Sequence, residues 1–287
     1  MADMKLTASN KPVIMGILNV TPDSFSDGGN FYATEAAIAH GLRMVAEGAD
    51  IIDVGGESTR PGAERISAEE QIRRIVPVIS GLRKQLPDEI TISVDTTLAA
   101  VASTACAAGA GMINDIAAGE DDAGILQLAA VQDIPLILMH KQGTPASMQQ
   151  SPTYDDVVEE IKSYLLNRAR IATEAGINKQ NLILDPGFGF GKTLEHNLLL
   201  LANLDRFTEK GFPIMIGASR KTFLSRICQV EERIALVGAS CATTVIGVMA
   251  GVRLFRVHDV REHRQAADVA YLTLVRNEEL RVKSGGS

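Results

Sequence analysis

Cysteine is scarce. Cys106, Cys228 and Cys241 are the three in 287 residues, an odd number without metal-type spacing. This argues against a disulfide framework or a cysteine-ligated zinc, and three reduced, partly buried thiols are expected. Long runs of like charge are also missing, so no nucleic-acid-binding tail is expected. With a net charge of −7, an anionic substrate needs a local basic cluster to hold it. No stretch approaches about 18 uninterrupted apolar residues, so no helix is expected to span a membrane. The first residues, Met1-Ala-Asp-Met-Lys5, lack the apolar centre of a secretory signal. The expectation is a cytoplasmic protein with neither nucleic acid nor membrane as partner. HExxH, CxxC and the serine nucleophile elbow are absent as well.

What the chain does have is a repeated unit. Hydrophobic residues make up 46%, enough for a sizeable core. Short apolar runs recur at Val13–Leu18, Ala49–Val54, Ile90–Val94, Met112–Ile113, Pro135–Met139, Leu182–Leu184, Pro213–Ile216 and Arg253–Val257. Between them lie stretches with helical periodicity: 35–48, 67–86, 98–108, 123–131, 154–175, 195–204, 222–228 with 232–250, and from about 260 to Val275. No break in composition divides these eight strand–helix units. Near-continuous apolar strands alternating with helices predict an α/β fold, a single-domain (β/α)8 barrel, because a parallel strand is buried on both faces. The barrel is expected over 13–280, with an N-terminal extension at 1–12 and a flexible tail at 281–287. A doubly wound open sheet is the runner-up. It usually has fewer strands and an early glycine-rich turn.

In a (β/α)8 barrel all strand carboxyl ends meet on one face. Those ends carry Asn19, Asp53, Asp95, Asn114, Asp115, His140, Asp185, Lys221, Arg256 and His258. Any one Asp or Asn there has an ordinary explanation as a cap, and for Asp53 and Asp115 capping and function weigh evenly. Convergence of the whole set is poorly explained by capping. Asp95, Asn114 and Asp185 suit a flat, donor-rich heterocycle, since a carboxylate accepts a pair of hydrogen bonds from an N–C–N edge. Arg256, His258, Asn19 and the run Ser219-Arg-Lys221 suit an anion. The stretch Gly187-Phe-Gly-Phe-Gly-Lys-Thr193 falls short of a phosphate loop, because three residues rather than four separate Gly187 from Gly191. Its glycines let the backbone approach a ligand, with Phe188 or Phe190 packing on the ligand's ring.

Asn19–Gly29, Gly55-Gly-Glu-Ser-Thr-Arg-Pro-Gly62, Ser93–Asp95, Ile113–Asp115, Asp185–Gly191, Ser219–Lys221 and Arg256-Val-His258-Asp resemble the dihydropteroate synthases of folate biosynthesis. The likeness runs from about residue 13 to the last helix. It implies condensation of 6-hydroxymethyl-7,8-dihydropterin pyrophosphate with 4-aminobenzoate, giving 7,8-dihydropteroate and pyrophosphate. It further implies a pterin pocket from Asp95, Asn114, Ile116, Met139, Asp185, Phe190, Gly217 and Lys221. Pyrophosphate falls to Asn19, Thr59, Arg256 and His258, with Mg2+ near Asn19. The aminobenzoate site, which sulfonamides occupy, falls to Phe25, Thr59, Arg60, Pro61, Phe188, Gly189, Phe190, Arg220, Lys221 and Thr222. Many members have serine where this chain has Thr222. The hydroxyl is kept, and carboxylate binding is expected to survive.

The implied chemistry is a dissociative displacement. Mg2+, Arg256 and His258 neutralise the departing pyrophosphate, while Asp95 and Asp185 stabilise a cationic dihydropterin. Asn19 belongs to the strand end, and Thr21–Gly29 forms a lid with Phe25 near the aminobenzoate. A homodimer through helices between Glu231 and Val275 is also implied. Two alternatives stay open. A methyltetrahydrofolate:corrinoid methyltransferase keeps a pterin-binding Asp and Asn but needs no anion site at Arg256 and His258. A non-catalytic paralogue is expected to have lost loop residues, and here the first two loops are intact.

Overall fold

Period two along each strand organises the molecule. Alternate strand residues such as Ile14, Ile52, Val54, Ile92, Val94, Ile113, Leu136, Leu138, Leu182 and Leu184 join one large core with the helices. Met15, Ile51, Met112, Ile137, Ile183, Met215 and Leu254 form a second, separate cluster. Two apolar faces on one set of strands are what a parallel barrel requires: one face packs against helices, the other fills the interior.

The computed structural model describes residues 11–21, 29–58, 65–143, 148 and 152–284. The strands are β1 Val13–Asn19, β2 Ile51–Gly55, β3 Thr91–Asp95, β4 Met112–Asp115, β5 Leu136–Met139, β6 Leu182–Asp185, β7 Met215–Ile216 and β8 Leu254–Val257. The helices are α1 Gly29–Ala46, α2 Ala68–Arg83, α3 Ala99–Ala107, α4 Gly124–Gln132, α5 Val157–Glu174, α6 Leu194–Ala202, α7 Asp205–Thr208, α8 Thr222–Cys228, α9 Val237–Met249 and α10 Val260–Ser284. The strands hydrogen-bond in the order β6-β5-β4-β3-β2-β1-β8-β7, and every pair is parallel. A bridge between Leu184 and Ile214 closes β6 onto β7. The barrel expected from the sequence is therefore present, as one domain.

Several boundaries differ from the sequence reading. β7 starts at Met215 rather than Pro213, because proline has no N–H for the ladder; the Pro213 carbonyl instead accepts from Leu184 N at 3.0 Å. The stretch 195–204 ends early and continues as the separate turn α7. The stretch 232–250 opens as a 3-10 turn, Arg233–Leu236, before α9. α1 begins at Gly29, inside the loop whose end had been set there. α10 runs past Val275 to Ser284, where Glu278, Glu279, Leu280, Arg281 and Lys283 are good helix formers.

Local signals explain several helix starts. Ser67 caps α2 by accepting from Glu70 N, and Asp156 caps α5 by accepting from Val158 N and Glu159 N. Thr193 and His196 form a reciprocal capping box on α6.

Candidate active site

The same alternation builds the site. Two residues beyond each member of the inner apolar cluster, the strand turns another side chain to the interior, one layer nearer the carboxyl ends. Ile51, Met112, Ile137, Ile183, Met215 and Leu254 are thus followed by Asp53, Asn114, Met139, Asp185, Gly217 and Arg256. A layer of polar groups rests on an apolar floor. Asp95, Asn114, Ile116, Met139, Asp185, Gly187, Phe188, Phe190, Met215, Gly217, Lys221 and Arg256 enclose a cleft of about 330 Å³. All eight residues that the sequence assigned to the heterocycle pocket lie on its wall.

Arg256 organises the charge. Its Nε donates to Asp53 Oδ2 at 2.7 Å and its terminal nitrogen to Asp95 Oδ2 at 2.7 Å. Asp53, fully buried, also accepts from Asn114 Nδ2 at 2.9 Å. The sequence reading had grouped Arg256 with the anion-binding residues; in the structure it bridges two carboxylates on the heterocycle side. It is still at the mouth of β8, two residues from His258. The flanking carboxylates hold the guanidinium firmly protonated, outweighing its burial.

Burial works on the other groups. It raises the Asp95 carboxyl although Arg256 opposes it. The Asp185 carboxyl is pushed up to about 6, with the Gly187 N–H and Lys221 acting against burial. Lys221 is lowered to about 8 by burial and by Arg256. Its Nζ stands 4.1 Å above the Phe190 ring, a cation–π contact. Groups of opposite charge thus share one cleft, each held nearer neutrality than in water, as at many catalytic sites.

The remaining assigned residues divide. His258 Nδ1 lies 3.1 Å from Ser219 Oγ, which also accepts from the His258 backbone N–H at 3.2 Å. When the hydroxyl donates to Nδ1, the ring's own proton sits on Nε2. Arg220 parts from Lys221: its guanidinium is ion-paired with Asp259, its Nε donating to Oδ2 at 2.9 Å, and its backbone N donates to Ser240. Phe188 is 1% exposed and packs on Phe223, with ring centroids 6.0 Å apart. Phe190 is therefore the aromatic that presents its ring. Gly189 is held by its N–H to Asn197 Oδ1 at 2.8 Å. Thr222 opens α8 and Asn19 ends β1. Phe25, Thr59, Arg60 and Pro61 lie outside the described residues. Asp115 is a cap, accepting from Ala117 N at 2.8 Å and Gly119 N at 2.5 Å.

Reading the sequence missed three contributors. Asp53 stood undecided, yet it holds both Arg256 and Asn114. Ser219 was read only as part of a basic run, yet it orients His258. Lys192 was set aside with the failed phosphate motif, yet it is buried beside the cleft. The period-two offset from Ile51 was the signal available for Asp53.

The model of the family described as pterin binding enzyme matches residues 15–258. The dihydropteroate synthase of Escherichia coli (strain K12) is 45% identical over 270 residues, 94% of each chain. The structure of Xanthomonas albilineans dihydropteroate synthase with 4-aminobenzoic acid has a TM-score of 0.86 at 45% identity, covering 92% of this chain and 93% of that one. Yersinia pestis dihydropteroate synthase in complex with a sulfonamide drug gives 0.86 at 43%, covering 92% and 95%. A barrel with this cleft at its strand ends is an enzyme of the pterin-binding class. Within that class the chain belongs to the dihydropteroate synthase family, transferases of folate synthesis.

Proposed function

We propose that the cleft joins 6-hydroxymethyl-7,8-dihydropterin pyrophosphate to 4-aminobenzoate and releases pyrophosphate. The observation that carries this reading is the pairing of buried acceptors with buried cations in one cleft. Asp185 and Asn114 offer acceptors to a donor-rich ring; Asn114 Oδ1 has no hydrogen-bond partner among the described residues. Lys221 and Phe190 supply a cation and an aromatic face beside them. Because the X. albilineans relative is described with 4-aminobenzoic acid and the Y. pestis relative with a sulfonamide drug, we extend both ligands to this chain. The cytoplasm is the compartment we infer for it.

The pterin C–O bond breaks ahead of C–N bond formation in this reading. Asp95 and Asp185 stabilise the positive charge that develops on the dihydropterin, in a water-poor cleft where electrostatic preorganisation is strongest. His258 Nε2 donates to the departing anion, and Arg256 adds charge at the same end. The aminobenzoate amine is uncharged and needs positioning more than a strong base; on attack it loses one proton.

Mg2+ fits this chain as a guest of the substrate rather than of a protein cage. Among the described residues no cluster of three His, Cys, Asp or Glu side chains is placed to hold a metal. The amide oxygen of Asn19 would supply one hard ligand, as Mg2+ commonly takes one or two protein oxygens with phosphate oxygens and water. When bound, it would neutralise charge on the pyrophosphate.

Asp185→Asn tests the charge-stabilising role. The substitution keeps an acceptor for Gly187 N, now 2.7 Å from Asp185 Oδ1, and removes only the charge. Pterin binding is expected to persist while turnover collapses; intact turnover with bound pterin would contradict the dissociative course.

We also infer a homodimer through α9 and α10. Ile246 and Met249 on α9, with Val269 and Leu272 on α10, are large apolar side chains left exposed, Val269 at 68% and Leu272 at 65%. Such a patch is characteristic of an interface.

A further inference from the structure

One buried amine is not explained by substrate contact. Lys192 follows the glycine loop directly and precedes Thr193, the N-cap of α6. A cation there meets the positive end of the helix dipole, and a lysine ordinarily carries its ammonium out to water. Lys192 instead turns inward and is 3% exposed. Its Nζ donates to His140 Nδ1 at 3.0 Å and to the Phe190 carbonyl oxygen at 3.0 Å. His140 lies buried just past β5, edge-on to Tyr164 at 4.9 Å between ring centroids. Burial and the ammonium lower its ring to about 3, so it is neutral and its Nδ1 accepts.

The rest of the loop is held by other atoms. Gly187 N donates to Asp185, Gly189 N to Asn197, and Tyr154 Oη donates to the Gly191 carbonyl at 2.8 Å. The carbonyl that Lys192 grips belongs to Phe190. That ring lies under Lys221 and lines two cavities at once: the strand-end cleft, and a neighbouring space of about 400 Å³ bordered by Glu57, Arg65, Thr97 and Lys141. Burial lowers the Lys192 amine to about 7, and the desolvated group fixes one backbone oxygen at the site's aromatic wall.

We propose that Lys192, seated on His140, is a positioning residue that holds Phe190 between the two cavities and beneath Lys221. This rests on the assignment of the cleft to the two substrates made above. Its test is a double-mutant cycle. Steady-state constants for both substrates and thermal melts are measured for the wild type, Lys192→Met, Phe190→Leu and the double variant. Lys192→Met is expected to raise the KM values roughly tenfold with kcat changed much less, as for a misplaced binding group. The double variant should be no worse than Phe190→Leu alone, because the ring that Lys192 positions is already gone. Losses that multiply, or unchanged KM values in Lys192→Met, would overturn the proposal. Should Lys192→Met fail to fold, Lys192→Gln, which keeps a donor without the charge, replaces it in the same cycle, and multiplying losses overturn the proposal there too. A wild type that never incorporates 4-aminobenzoate would instead overturn the functional assignment, before any substitution is made.

Discussion

Asp185 and Lys221 bring opposite charges into one cleft, and burial opposes both. Asp185 and Asp95 must be ionised to stabilise a cation, so activity should rise with pH through about 6 to 7. Lys221 must keep its proton, so activity should fall above about 8. The kcat/KM profile is therefore expected to be bell-shaped between these limits. Lys221→Arg should carry the alkaline limb upward, because a guanidinium stays charged; an unmoved limb would assign it to another group. The same shift bears on stability. A carboxyl raised on folding favours the native state when protonated, and that contribution is lost as pH rises through about 6. Asp185→Asn should thus melt at or above the wild-type temperature at pH 8; a clearly lower melting point would show that the charge is compensated by its surroundings. Sequence reading reached Asp95, Asn114, Asp185 and Lys221, because each ends or follows an apolar run. It named no carboxylate partner for Arg256 or Arg220. Which carboxylate a long side chain meets depends on residues 203 and 39 positions away, and no local pattern carries that.

The glycine loop after β6 is the element that ties strand ends to side-chain chemistry. Gly187 has φ +71, and a Cβ there would stand 2.0 Å from the His140 carbonyl oxygen. Gly187→Ala should cost more than about 1 kcal/mol in stability and weaken pterin binding, read by melting and calorimetry. Binding and melting both at wild-type values would mean that the loop's docking on His140 is not needed. That these glycines serve close backbone approach was legible from the sequence. What they approach was not: His140 and Gln142 follow β5, and their contact with the loop is a product of β5–β6 pairing. Helix ends were harder to read than helix existence, as at α7 and the turn before α9, where no capping side chain marks the break. α4 ends on Asp133 in a left-handed conformation, where its N–H bonds back to the last turn and its carboxylate accepts from Asn181 Nδ2 at 2.9 Å.

At the scale of the whole molecule, eight repeats of strand and helix made the barrel legible, since a doubly wound open sheet usually has fewer strands and an early glycine-rich turn. The closing bridge between Leu184 and Ile214 was not, because β7 is only two residues long. The exposed apolar residues of α9 and α10 carry a prediction of their own: in sedimentation equilibrium the wild type should behave as the proposed dimer and Leu272→Glu as a monomer, and a dimer that persists in the variant would move the interface elsewhere. In the assembled barrel one cleft is expected to hold both reactants. The most direct measurement incubates the purified protein with 6-hydroxymethyl-7,8-dihydropterin pyrophosphate, Mg2+ and labelled 4-aminobenzoate, and follows both products. Dihydropteroate and pyrophosphate are expected in equal amounts, with pyrophosphate formation in step with incorporation of label. Pyrophosphate released without label entering the pterin product would contradict the account.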